Sequence, residues 1–248
     1  MGTILSLTIL GVSSLVTSFI SGILGMAGGM ILMGMLLAIL PLPAAMTLHG
    51  ITQFVSNGTR ALMNRREIVW RIVGGYALGG LVAFAIFAAA RVVLPKPAAL
   101  ICLGLMPFVG LALPERLHLN VERRGHSFVC GLLCVCMSLT AGIAGPILDI
   151  FFVRSKMRRH VVVATKATTQ AMSHLVKIAY FGHLVSGDGA EVDGVVVVTM
   201  VVLAFAGTRL SSLVLERMTD VSFRLWTRRT VMGVGLVYIA SGVVAIAR

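Results

Sequence analysis

Two stretches of the chain carry the same kinds of polar residue at the same helical spacing. From 49 to 60, His49, Thr52, Gln53, Ser56 and Arg60 fall at i, i+3, i+4, i+7 and i+11, which places them on one face of a helix. From 166 to 177, Lys166, Thr169, Gln170, Ser173 and Lys177 repeat that spacing, with Asn57 and His174 as a further matched pair beside the two faces. Amides, hydroxyls, imidazoles and cations together offer many hydrogen-bond donors. The chemistry they suit is non-covalent binding of an oxyanion rather than coordination of a metal. No nucleophile with its base and orienting partner, no zinc-ligand spacing and no phosphate loop accompanies them. The glycines of GMAGGM lack the Lys and Ser/Thr that a nucleotide-binding loop needs. An enzyme is not expected, nor a metal or other cofactor. The competing reading is local, because Thr and Ser bond back into their own helix and Arg60 or Lys166 can snorkel to an interface.

Each polar stretch lies downstream of a glycine-rich interruption in apolar sequence. GMAGGMIL at 25–32 resembles GIAGPILD at 142–149, and TQFVSN at 52–57 resembles TQAMSH at 169–174. Gly25 and Gly142, Thr52 and Thr169, and Ser56 and Ser173 are each 117 residues apart, as a duplication predicts. Glycine costs about 1 kcal/mol in a helix relative to alanine, so repeated glycines need a reason. A break inside a membrane is tolerated where freed backbone groups face protein or a water-filled cavity. The helix that restarts after it offers free N–H groups and the positive end of its dipole to an anion. On this reading Gly25, Gly28 and Gly29 line the site with Gly142 and Gly145, and Pro146 suits a first helical position. Close helix packing is the alternative use of the same glycines. Asp149 is the one carboxylate in either interrupted segment, opposite apolar Leu32 in the first copy. It is a candidate for proton coupling together with His174, or for pairing with a base such as Lys166.

The elements that must position these residues are membrane helices. Hydrophobic residues make up 58% of the chain, charged ones 12%, and mean hydropathy is +0.98, far from a soluble domain. Ten apolar segments are expected as helices, at about 4–24, 28–40, 44–62, 68–90, 97–113, 127–143, 146–157, 161–184, 194–215 and 230–247. The second and seventh are too short to span and follow glycine breaks. The net charge of +12 sits in short loops, where it orients the chain and meets lipid headgroups, so nucleic acid is not an expected partner.

Charge also orders the halves. The connection before the first polar helix, at 41–43, is uncharged, and the one after it carries Arg60, Arg65, Arg66 and Arg71. In the second half the preceding connection holds Arg154, Lys156, Arg158 and Arg159, and the following one is acidic. By the positive-inside rule the two polar helices run oppositely. The expected fold class is an all-α polytopic bundle of two inverted-topology repeats, each with three full spans and a Gly-rich broken helix or re-entrant hairpin. The expected divisions are 1–113, a basic cytoplasmic linker at 114–126, and 127–248, with both termini outside and Arg91 and Lys96 as exceptions placed outside.

Cys102, Cys130, Cys134 and Cys136 all lie in apolar segments and read as small packing residues rather than a disulfide framework. The opening MGTILSLTIL has no basic region, so a cleaved signal peptide is not expected. A carrier binding a small anion near the bilayer midplane accounts for all of this. A passive anion channel, an uptake carrier for another oxyanion or carboxylate, and a non-transporting membrane partner are the alternatives. Oligomeric state is not legible.

GILGMAGGMIL at 22–32, followed by a polar helix and a basic loop, and its second copy TAGIAGPILD with ATKATTQAMSHLVK, resemble the TauE/SafE sulfite exporter family over about residues 8–246. The resemblance implies a secondary transporter of a bacterial or archaeal inner membrane, exporting small sulfur-containing anions such as sulfite or organosulfonates. Pro146 departs from the glycine of the first copy, so the two tips need not be symmetric.

Overall fold

The computed structural model describes residues 3–24, 26–112, 119–184, 192–215 and 220–247, and among them there is no strand. The helices are α1 (Thr3–Leu24), α2 (Met26–Ile39), α3 (Leu42–Met63), α4 (Trp70–Ala90), α5 (Lys96–Ala112), α6 (His126–Thr140), α7 (Gly145–Phe152), α8 (Arg159–Ala179), α9 (Gly194–Leu215) and α10 (Asp220–Ala247). A 3₁₀ turn at Arg65–Glu67 follows α3, and a π-helical turn at Tyr180–Leu184 follows α8.

Among the described helices, Trp70–Ala90, Gly194–Ser211 and Arg229–Ala247 are long and apolar enough to cross a membrane. The polar helices α3 and α8 have the length, 22 and 21 residues, but too many polar groups to qualify. The distribution is that of a membrane protein. Leu78, Leu81 and Ile86 on α4 and Val195, Val198 and Val202 on α9 face outward, whereas His49, Thr52, Ser56, Thr169 and Lys177 are buried.

Two expected boundaries move. The segment from 146 ends its helix at Phe152, not 157, so α7 is only about 12 Å long. The last helix begins at Asp220 rather than near 230, because nothing in VSFRLWTRR breaks a helix; the basic stretch expected as a loop to 229 is helical from 220 onward. Of the linker expected at 114–126, residues 114–118 lie outside the described residues, Leu119 and Asn120 are irregular, Val121–Gly125 form turns and His126 begins α6.

Helix neighbours come in matched sets. α1 packs on α9 and α4 on α6; α3 on α9 and α8 on α4; α2 on α10 and α5 on α7; and α3 meets α8 while α5 meets α10. Exchanging α1–α5 with α6–α10 maps each of these pairs onto another or onto itself. Small residues make the approaches: a Cβ on Gly131 would overlap the backbone of Tyr76, and one on Gly207 the carbonyl of Leu15.

The basic loops meet at one end of the bundle. Arg71 donates to the Glu122 carbonyl at 3.2 Å, the Lys156 N–H to Glu122 Oε2 at 2.9 Å, and Arg158 pairs with Glu67 at 3.5 Å. At the opposite end, Lys96 donates to the Leu40 carbonyl and the Tyr180 hydroxyl to the Val92 carbonyl. α3 therefore runs toward the basic end and α8 away from it. α6 leaves the basic end and α7 returns there, where the Val121 N–H donates to the Phe151 carbonyl. α1 lies parallel to α9, with Gly11 beside Thr199 and Gly22 beside Ser211, and α2 comes back to the end that holds Leu40.

Candidate polar site between α3 and α8

α3 starts with Pro43 in its first turn, after Pro41, and closes at Asn64, whose side-chain amide donates to the Arg60 carbonyl. It meets α8 closely at Gly50, where a Cβ would stand 2.9 Å from Ile178 Cγ1 and 3.4 Å from the His174 carbonyl. The small residue lets the two polar faces confront each other.

A lysine is among the fully buried groups there. Lys177, with no exposed surface, donates from Nζ to the Gly142 carbonyl at 2.8 Å and to His49 Nδ1 at 2.6 Å. An ammonium only donates, so Nδ1 accepts, and the ring's other nitrogen carries the proton and donates it to the Gly29 carbonyl at 2.9 Å. The His174 ring stands edge-on to that of His49, 5.5 Å between centroids. Gly142 has φ +80°, a left-handed backbone that favours glycine, and a Cβ there would press 2.7 Å from Met33 Sδ. Through His49 and Lys177 the turn at Gly142 is tied to α2 at Gly29.

Toward the basic end, α3 carries a chain of donors that ends open. Arg60 Nη1 donates to Asn57 Oδ1 at 3.4 Å, and Asn57 Nδ2 donates to the Gln53 carbonyl at 2.9 Å and reaches Gln53 Oε1 at 3.5 Å. Gln53 Nε2, Arg60 Nη2 and His174 Nδ1 are buried and have no hydrogen-bond partner among the described residues; the hydroxyls of Ser18, Thr47 and Ser138 share that condition elsewhere. An unpaired buried polar group costs about 1–3 kcal/mol. The amide and guanidinium nitrogens are obligate donors, so what would satisfy them is an acceptor, as an oxyanion is. Gly29 gives the Gln53 amide its room, since a Cβ there would lie 3.4 Å from Oε1.

Other residues of the two faces fasten the helices. Ser56 shares a 2.8 Å hydrogen bond with Thr208 on α9, and Ser173 one of 2.5 Å with Tyr76 on α4. Thr52 and Thr169 donate back to the Leu48 and Lys166 carbonyls. Gln170 is half-buried on α8. Lys166 pairs with Asp149, the half-exposed carboxylate of α7. Gly28 turns away from the polar faces, its missing Cβ making room for the backbone of Thr17 and Ser21 on α1. Gly145 is buried at the start of α7 beside Pro146, and Gly25 lies outside the described residues. Sequence reasoning overlooked Tyr76 and Thr208. The signal was present in Tyr76, a phenol in an apolar span, which needs a partner for its hydroxyl; Thr208 had none. Cys130 and Cys134 are buried thiols 3.9 Å apart, and among the described residues no group of His, Cys, Asp or Glu could hold a metal.

A model of the sulfite exporter TauE/SafE family matches residues 10–240. The chain belongs to that family. It is accordingly a multi-pass membrane protein of a family of transporters of sulfur-containing anions, not of enzymes. Neither a curated protein nor a solved structure matches it.

Proposed function

We propose that this TauE/SafE chain is a secondary carrier that exports sulfite or a small organosulfonate across a bacterial or archaeal inner membrane. The buried, unpartnered donors of Gln53 and Arg60, with the unpartnered His174 Nδ1 beside α3, carry this reading: an oxyanion would accept the hydrogen bonds that the two donors otherwise leave unmade. Gly29, His49, Asn57, Gly142 and Lys177 hold that arrangement, and Thr52, Ser56, Gly145, Lys166, Thr169, Gln170 and Ser173 build the helix faces around it. Alternating access follows if one repeat rocks against the other about α3 and α8. The matched helix neighbours and the antiparallel run of α3 and α8 support inverted repeats, and the return of α7 to the end from which α6 leaves supports a re-entrant hairpin. Asp149 and His174 are the groups assigned to proton coupling, Asp149 because it is partly open to solvent while tied to the polar face through Lys166.

The test is labelled sulfite uptake into liposomes containing the purified protein, with methanesulfonate and acetate as competitors and with or without a pH gradient. Saturable flux, inhibited by the sulfonate and not by acetate, is expected. Its acceleration by a pH gradient should vanish in Asp149→Asn while flux without a gradient persists. Flux that rises linearly with concentration contradicts a carrier.

A further inference from the structure

Away from their polar faces, α3 and α8 border an apolar groove of about 600 Å³ lined by Phe54, Leu62, Ile68, Trp70, Met172 and Leu175 among others. It runs into a polar pocket of about 410 Å³ at the basic end, lined by Asn64, Arg65, Arg66, Glu67 and His160. Leu62 and Arg65 belong to both. Glu67 already meets Arg158 at 3.5 Å, while neither Arg65 nor Arg66 pairs with a carboxylate among the described residues. The pocket therefore keeps a positive surplus. Trp70, 65% exposed, lies along the groove near its charged mouth, as an indole at the level of lipid headgroups does.

We propose that these two cavities form one binding site for an anionic glycerophospholipid: its phosphate held by Arg65 and Arg66, its acyl chain laid between α3 and α8. Three observations define the occupant. The groove is almost wholly apolar, the pocket that continues it is cationic, and both open on the surface of a protein embedded in lipid. A free anion would use the pocket and leave the groove, and a zwitterionic lipid would fill the groove without answering the surplus charge. The chain packs against Phe54 and Ala171, next in sequence to Gln53 and Gln170, so an occupied groove braces the helix pair that carries the polar faces.

Native mass spectrometry of the purified full chain tests this with phosphatidylglycerol and phosphatidylcholine of identical acyl chains. Retention of phosphatidylglycerol over phosphatidylcholine is expected, falling about fivefold for each arginine removed in Arg65→Gln and Arg66→Gln, with Arg91→Gln at the opposite end unchanged. Gly58→Leu, at a position with nothing within 4 Å of its Cβ site and on the groove wall, should weaken retention with every charge in place. Equal retention of the two lipids overturns the proposal. So does full displacement of phosphatidylglycerol by glycerol 1-phosphate at equal concentration, which would mean a site for free phosphate esters, and so does indifference to Gly58→Leu.

Discussion

The polar faces of α3 and α8 have matching residues at matching spacing, and the protein uses them unequally. His49 and Lys166 occupy equivalent places, and each reaches the short helix before its own: His49 to the Gly29 carbonyl, Lys166 to Asp149. Ser56 and Ser173 are equivalent too, and each bonds a span of the other half. The cations differ. Lys177 is bonded to a carbonyl and an imidazole, whereas its counterpart Arg60 keeps Nη2 unpartnered among the described residues. The two faces share the fastening and differ in the charges, so α8 contributes a strut and α3 an open end.

Exchanging each cation for a neutral chain of similar length breaks that contrast most sharply. Lys177→Met strands the Gly142 carbonyl and His49 Nδ1, a loss of about 3 kcal/mol that thermal unfolding in detergent would register as a lower Tm. Arg60→Met removes a guanidinium whose Nη2 was unpartnered and whose one side-chain bond, to Asn57 Oδ1, is long at 3.4 Å, and should lower Tm far less than Lys177→Met while raising KM for flux. A weaker contrast lies in the glycines. Gly142→Ala meets a left-handed backbone and Met33, costing about 1–2 kcal/mol of stability. Gly29→Ala meets only the Gln53 amide, so it should alter KM with little change in Tm. The smallest and most even effects belong to Ser56→Ala and Ser173→Ala, about 1 kcal/mol each in unfolding; a large difference between them would mean that the two halves are not fastened alike.

Much of this was written in the sequence, for different reasons at different places. Apolar length set the helices, since nothing else survives in lipid, and the i, i+3, i+4 spacing set which side chains share a face. The spacing could not say who meets whom across helices. Only the antiparallel register of α3 and α8 puts Lys177 beside His49, and only the crossing with α9 gives Ser56 its Thr208. Gly28 was grouped with Gly29 because they adjoin, yet neighbours on a helix point about 100° apart, and one serves α1 while the other faces Gln53. The start of α10 was misplaced because hydropathy marks where lipid begins, whereas a helix ends only where its backbone is broken.

The most direct test of the open donors is sulfite binding to purified wild type and Gln53→Ala by titration calorimetry, with Tm measured alongside. The account predicts an affinity loss of about 2 kcal/mol, roughly 30-fold, at an unchanged Tm. Equal affinity for sulfite in the two proteins would contradict it.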